Sequence, residues 1–324
     1  MEILHIIMSL LVLALVGYMY SKFQETETMS EEKHDQMIIE KYLINDDSIL
    51  REKRPLVWVY IPREINARHW LSFYSRNTRD LNQPYLTLTL HSIIKQVGDS
   101  ARVCLIDDDS FSKIIPGWSI DLNTLADPMR THMRTLAITK VLYNHGGILV
   151  PLSFLATRPI TDLPTPVHGG ATAECFVVEG HCRIITSEAL TTFPSHQFMG
   201  CLKGSLVMRE LVGYLEALNS KDYTTEQDVL GQIDRWLYKQ SLSNRIQVVP
   251  ACRVGVVDKN KRLIGVERLL GSSYVDYCEC MAGIWIPSEE ILRRNKYGWF
   301  ARMSHEQLFD SNTELGRRLL VSLQ

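Results

Sequence analysis

The sequence lacks the short motifs that announce most familiar chemistries. It has no CxxC pair, no HExxH, no GxSxG, no P-loop and no kinase signature. Each gap removes a mechanism: ligands at fixed spacing for zinc, an elbow for a serine nucleophile, a glycine-rich nest for a nucleoside triphosphate. Excess charge of one sign is missing too. Lys and Arg number 35 against 37 Asp and Glu, a net charge of −2. No global positive field is there to hold a nucleic-acid backbone, so nucleic acid is not expected as a partner. Small molecules, proteins and lipid are left. No Asn-x-Ser/Thr sequon occurs. The seven cysteines, Cys104, Cys175, Cys182, Cys201, Cys252, Cys278 and Cys280, form an odd and irregularly spaced set. Only Cys278 and Cys280 lie close together, and the set reads as ordinary reduced thiols. The histidines, among them His132, His145, His168, His181, His196 and His305, show no paired ligand spacing. Internal repeats and low-complexity tracts are absent.

One long apolar run is present. Ile3–Tyr20 reads ILHIIMSLLVLALVGYMY and carries no formal charge. Eighteen helical residues span about 27 Å, close to a hydrocarbon core of about 30 Å. A cleaved signal peptide would have Lys or Arg before the run and a small-x-small site after it. Here Glu2 precedes it and Met19-Tyr20-Ser21-Lys22 follows. A retained single-pass membrane anchor over residues 1–21 is expected. Lys22, Lys33 and Lys41 follow the run, which favours a cytosolic soluble part. Residues 22–54 are charge-rich and read as a stalk, with a short helix possible over Met37–Ile44.

The soluble part is expected over residues 55–290, with a C-terminal helical segment at 291–324. Leu56–Pro62, LVWVYIP, suits a buried strand ended by proline. A helical stretch follows near His69–Asp80. Pro84 stands where a helix N-terminus places it, and Gly98 where a helix stops. Ala101–Ile106, ARVCLI, is a second strand, giving a strand–helix–strand unit of the parallel α/β kind. Asp127–His145 has helical apolar spacing, Gly146-Gly147 ends it, and Ile148–Val150 starts a strand at once. Ser205–Asn219 and Thr225–Leu242 read as amphipathic helices, and Ile246–Pro250 as a short strand. Ser304-x-x-Gln307 is a capping box opening a C-terminal helix.

In this order the parts resemble the GT-A type glycosyltransferases, most nearly the family with a sugar-binding region containing DXD. The segments that carry the likeness are Leu56–Pro62, Leu88–Lys95, Val103–Asp109, LAITKVLYNHGGILV over Leu136–Val150, Phe193–Leu215 and TEQDVLG over Thr225–Gly231. The likeness covers Pro55–Leu242. It implies a Rossmann-like, mixed and mostly parallel sheet with helices on both faces. It also implies a nucleotide sugar held through Mn²⁺ or Mg²⁺ bridging the diphosphate. Many membrane-anchored sugar-transferring enzymes face a lumen, against the charge rule above. Gly146–Ile160 also resembles a motif of uncharacterised proteins from large DNA viruses.

Two family positions depart from the pattern. The DxD falls directly after the Gly-Gly strand, where this chain has Pro151-Leu152-Ser153. A nucleotide-binding Asp stands eleven residues before the Gly-Gly, where this chain has Thr135. Other residues are therefore candidates. Asp107, Asp108 and Asp109, just past a strand's carboxyl end, could bind metal or simply form a solvated turn with Ser110 capping the next helix. Arg130 and Arg134, four apart on one helix with Lys140 beyond, could neutralise a diphosphate without metal or be a solvated face. Asp127 could replace the lost nucleotide-binding Asp if the helix start is shifted. Gly146 and Gly147 complete the cofactor-binding set, although a chain reversal also explains them. Glu226 and Asp228 open a helix and could supply an acceptor-side base or only favour the helix dipole. The expectation is a membrane-anchored glycosyltransferase-like protein with a non-standard site. The alternative is an inactive scaffold of the same fold.

Overall fold

The computed structural model describes residues 2–44, 54–62, 83–98, 100–163, 174–181, 192–220, 229–293 and 295–324. The chain divides into two compact units, Met1–Tyr42 and Leu43–Gln324. The first is one helix, α1 (Glu2–Tyr42), which runs unbroken through the expected anchor–stalk boundary at residue 21. Among the described residues no helix is long and apolar enough to cross a membrane. Within the apolar run, the side chains of Ile3, Leu4, Ile6, Ile7, Ser9 and Leu10 lie outside that description. The described ones, Met8, Leu11, Val12, Leu13, Leu15, Val16, Tyr18, Met19 and Tyr20, are each 57–69% exposed.

The second unit is mixed α/β. Along it lie β1 (Leu56–Tyr60), α2 (Pro84–Val97), β2 (Arg102–Ile106), α3 (Phe111–Ile114) and α4 (Met129–His145). Next come β3 (Gly147–Val150), β4 (Phe154–Ala156), β5 (Cys175–His181), β6 (Thr192–Cys201), α5 (Leu206–Asn219), α6 (Val229–Leu242) and β7 (Gln247–Val249). Short helices α7 (Val266–Leu269), α8 (Ser288–Arg293) and α9 (His305–Asp310), strand β8 (Gly283–Trp285) and α10 (Glu314–Leu323) complete it. Among the described residues the main sheet has the order β2-β1-β3-β6-β5-β7. All its strands run one way except β6, which is antiparallel to both neighbours.

The layers follow from connection handedness. From β1 the chain passes through α2 to β2 on one side, then through α4 back across β1 to β3 on the other. Right-handed crossovers in opposite directions put α2 and α4 on opposite faces. Strand alternation agrees. Leu56, Trp58, Cys104, Ile106, Leu149, Val177 and Met199 share one core with α4, α5 and α6. Val57 and Val59 point the other way and are also fully buried. Nine of the fourteen residues of α2 are buried, and Lys95 near its end donates to the Ser322 carbonyl of α10.

Several boundaries differ from expectation. The sheet gathers chain before Pro55: Ile44 N–H donates to Leu105 O at 3.0 Å, and Ile44 is fully buried. The C-terminal helix is two helices. The capping box forms as expected at Ser304 and Gln307, but α9 stops at Asp310, and Thr313 caps α10 anew. This segment packs into the second unit. The β5–β6 pair had no signal, because Pro194-Ser195-His196-Gln197 interrupts any apolar alternation in β6. The helical stretch expected near His69–Asp80 lies outside the described residues.

Candidate functional site

In an open α/β sheet, ligands enter where successive connections diverge, beyond the strands' carboxyl ends. Here that switch point lies between β1 and β3. Three side chains meet near it. Tyr60 ends β1, Asp108 follows β2, and Arg134 sits in the first half of α4. Arg134 Nε and Nη2 donate to Asp108 Oδ1 and Oδ2 at 2.9 and 2.7 Å. Tyr60 Oη donates to Asp108 Oδ1 at 2.8 Å. The guanidinium lies 5.1 Å from the Tyr60 ring centroid, and that ring stacks at 4° on Phe111. The ion pair is largely withdrawn from water, with Arg134 12% and Asp108 19% exposed. An expected metal ligand and an expected phosphate ligand are thus each other's partners.

The other acidic candidates separate. Asp107 is buried and closes the turn after β2: its Oδ1 accepts from Ser110 N–H at 2.9 Å and Ser110 Oγ–H at 2.6 Å. Ser110 itself makes no side-chain cap on α3, so the capping runs opposite to expectation. Asp109 is exposed and touches Asn123 Nδ2 at 3.5 Å. Among the described residues no group of His, Cys, Asp and Glu could hold a metal ion.

Asp127 accepts from Thr131 Oγ–H at 2.8 Å, and the hydroxyls of Thr135 and Thr139 bond back to the carbonyls of Thr131 and Thr135. Thr135, where the resemblance would place a nucleotide-binding Asp, is therefore engaged with its own helix. Burial pushes the His132 imidazole below its ordinary pKa, against the opposing pull of Asp127. Arg130 Nε donates to Leu125 O at 2.8 Å. Lys140 pairs with Glu216 of α5 at 2.7 Å. These two line a 330 Å³ cleft between α4 and α5 with Trp118, Met133 and Asn219. Glu226 and Asp228 lie outside the described residues.

Gly146 and Gly147 are held by backbone demands. Gly146 has φ +71°, caps α4 through its N–H to Leu142 O at 2.7 Å, and accepts from Trp58 Nε1 at 2.8 Å. Gly147 has φ +105°, and a Cβ there would stand 2.5 Å from Leu56 O. Only glycine fits that conformation without strain. Both serve the chain reversal that brings β3 in beside β1.

The turn Pro151-Leu152-Ser153, where the resemblance would place a DxD, is built into the fold. Thr89 Oγ donates to Leu152 O at 2.6 Å, and Ile286 N–H to Ser153 O at 3.0 Å. Leu152 and Ser153 are buried. The turn leads into β4, which pairs with β8.

One pair escaped sequence reading. His196 Nδ1 lies 2.7 Å from Asp234 Oδ1 of α6, and the same oxygen accepts His196 N–H at 2.9 Å. Both residues are buried. Between Ser195, opposite Val178, and Met199, opposite Val177, β6 carries residues with no partner on β5. Asp234 satisfies a backbone donor freed by that bulge. Nothing in the spacing of the two residues announces the contact.

The fold is that of a mixed α/β protein with a mostly parallel sheet. No family model matches the chain, and no curated protein matches it.

Proposed function

We propose that this chain is a membrane-anchored, GT-A-like protein whose switch-point crevice takes the diphosphate of a nucleotide sugar without a bridging metal. The carrying observation is the Tyr60–Asp108–Arg134 cluster: a guanidinium seated on an aromatic ring at the switch point, beside a turn with no carboxylate. Sheet order supports the reading, with a single reversed strand beside β3. In this scheme Arg134 exchanges its carboxylate partner for phosphate oxygens, a geometry its planar fork suits equally well. Asp108, once released, is an acceptor for sugar or ribose hydroxyls. Arg130, from the same helix face, adds to the field at the diphosphate. Sugar transfer would need a base on the acceptor side, and Glu226 and Asp228 are the candidates. The anchor part rests on the uncharged run Ile3–Tyr20 and its exposed apolar side chains, which need a covering phase. The lysines after it favour a cytosolic soluble unit.

A second reading has its own support. Asp108 and Arg134 already satisfy each other with two short bonds, so the crevice can be closed by its own charges. The chain would then be a membrane-bound scaffold for a protein partner.

Thermal unfolding of the full chain in mild detergent, with a panel of nucleotide sugars with and without Mn²⁺, tests both. A ligand present at a hundred times its Kd adds about 2.7 kcal/mol, a midpoint rise of about 5–10 °C. The proposal expects that rise without metal, and its loss in Arg134→Lys. A rise that requires Mn²⁺ overturns the metal-free site. No rise with any nucleotide sugar leaves the scaffold reading.

A further inference from the structure

Cys175 opens β5 and Cys201 closes β6, and the antiparallel register sets them directly opposite each other. One step further out, Leu202 N–H donates to Glu174 O at 2.9 Å. Hydrogen-bonded and non-hydrogen-bonded pairs alternate along such a ladder, so Cys175 and Cys201 form a non-hydrogen-bonded pair. In that class the Cα atoms stand about 4.5 Å apart and the side chains are closest. A disulfide spans Cα separations from about 4.4 Å upward. Both thiols are free and buried, 2% and 8% exposed. Cys175 Sγ lies 2.9 Å from the hydroxyl of Ser205, the N-cap of α5. Cys201 donates to Leu142 O at 3.3 Å, and that carbonyl keeps the Gly146 N–H if the thiol is lost.

We propose that Cys175 and Cys201 are a reversible dithiol–disulfide pair, closed by a peroxide, that fastens the open end of the β5–β6 hairpin beside the first turn of α5. The proposal is independent of the nucleotide-sugar site. The roles within the pair differ. The neighbouring Cys201 and the Ser205 hydroxyl outweigh burial and bring the Cys175 thiol down, while Cys175 and burial push up the Cys201 thiol, whose S–H donates to Leu142 O. Cys175 is the attacking sulfur. Its thiolate takes one oxygen of hydrogen peroxide, the O–O bond breaks, and hydroxide leaves with the proton that Cys175 gave up, as water. The Cys201 thiol then attacks the sulfenic sulfur, the S–O bond breaks, and a second water leaves with the Cys201 proton. Two thiols lose two electrons and peroxide gains them. A small-molecule thiol reverses the closure by exchange.

The test is disulfide mapping of the full chain in mild detergent, before and after a short treatment with a modest excess of hydrogen peroxide and acid quenching. Cleavage after glutamate separates the thiols: residues 175–179 hold Cys175 without Cys182, and residues 189–210 hold Cys201 alone. The expected product joins these two peptides with a loss of two hydrogens and disappears on treatment with dithiothreitol. The closed loop raises the thermal midpoint by about 5–10 °C, reversibly. In Cys201→Ser, Cys175 is instead trapped as sulfenic acid by dimedone. Should peroxide join Cys252, Cys278 or Cys280 while Cys175 and Cys201 both remain alkylatable after unfolding, the pair is not a switch. That mapping needs no variant, so poor folding of Cys201→Ser cannot obscure the result.

Discussion

The Asp108–Arg134 pair gives the sharpest quantitative expectation. An exposed ion pair contributes about 0–1 kcal/mol, whereas breaking a buried one costs about 3–5 kcal/mol. With side chains 12% and 19% exposed and two bonds of 2.7 and 2.9 Å, this pair belongs between the limits. Each single truncation, Asp108→Ala or Arg134→Ala, is expected to cost about 2–3 kcal/mol. After the first, a guanidinium is left on the Tyr60 ring without its carboxylate; after the second, Asp108 retains the Tyr60 hydroxyl. The double variant removes both charges together. It should cost only slightly more than either single one, a coupling of about 1.5–2.5 kcal/mol. For a chain of this size each single variant lowers the thermal midpoint by about 5–10 °C.

Urea unfolding of the four proteins measures the cycle. Repeating it in 1 M salt separates a withdrawn pair from a screened surface one, since salt weakens only the latter strongly. Additive single effects below about 0.5 kcal/mol, or a coupling that vanishes in salt, would refute the account of a sequestered pair. Asp108→Asn connects the cycle to function. It keeps an acceptor for Tyr60 but releases the guanidinium charge. If Arg134 trades carboxylate for phosphate, this variant should bind nucleotide diphosphate several-fold more tightly without metal. Equal or weaker binding would show that Asp108 is not the competitor.

Other expectations follow from single positions. Gly147→Ala combines φ +105° with a Cβ 2.5 Å from Leu56 O, and should cost more than about 3 kcal/mol or abolish folding, read from soluble yield and urea midpoint. Ser153→Asp places a carboxylate where the resembled family has its DxD, but Ser153 is only 6% exposed. It should lower stability by about 2 kcal/mol or more and create no Mn²⁺-dependent midpoint shift; a metal-stabilised variant would mean that the turn opens readily. For Asp258, burial alone would push the carboxyl up. The backbone N–H groups of Arg262 and Asn260 and the guanidinium of Arg268 outweigh it and hold the carboxyl below its ordinary range. A depressed folded pKa gives stability that is present above the unfolded value, about pH 3.9, and lost as pH falls through the folded value. Asp258→Asn should therefore flatten the loss of stability below about pH 4, and unchanged slopes across pH 2–5 would exclude that contribution.

The parallel half of the sheet was legible because its signals are local. Val57, Trp58 and Val59 need burial on both faces, Pro84 and Gly98 mark the ends of α2, and Gly146-Gly147 marks the reversal into β3. The antiparallel strand β6 was not, since its polar centre is satisfied from α6, far along the chain, by Asp234. The same distinction holds at the candidate site. Sequence spacing places Asp108 past a strand end and Arg134 on a helix, but does not bring the two together. Their meeting depends on where α4 crosses the sheet, and no spacing within either segment encodes that crossing. The acidic triplet shows the converse. Three consecutive aspartates suggest one charged cluster, yet backbone direction sends Asp107 inward to Ser110, Asp108 to Arg134 and Asp109 outward.

The proposed function asks the switch point to hold a diphosphate without a metal. A diphosphate needs positive charge nearby, supplied either by a divalent ion on carboxylates or by guanidinium directly. Where the resembled family has its DxD, this chain has a turn whose carbonyls are bonded to Thr89 of α2 and to Ile286 just past β8, and whose middle and last residues are buried. A carboxylate there would be costly, so the turn and a metal site compete for the same residues. In the proposed function, a permanently charged side chain at the switch point takes over the binding of anions. Arg134 stands at that point, and Asp108 orients it and balances its charge. On that reading, the energy of parting the pair is subtracted from ligand affinity. That is why the affinity of Asp108→Asn for nucleotide diphosphate, relative to the unaltered chain, decides between a working site and a crevice sealed by its own salt bridge.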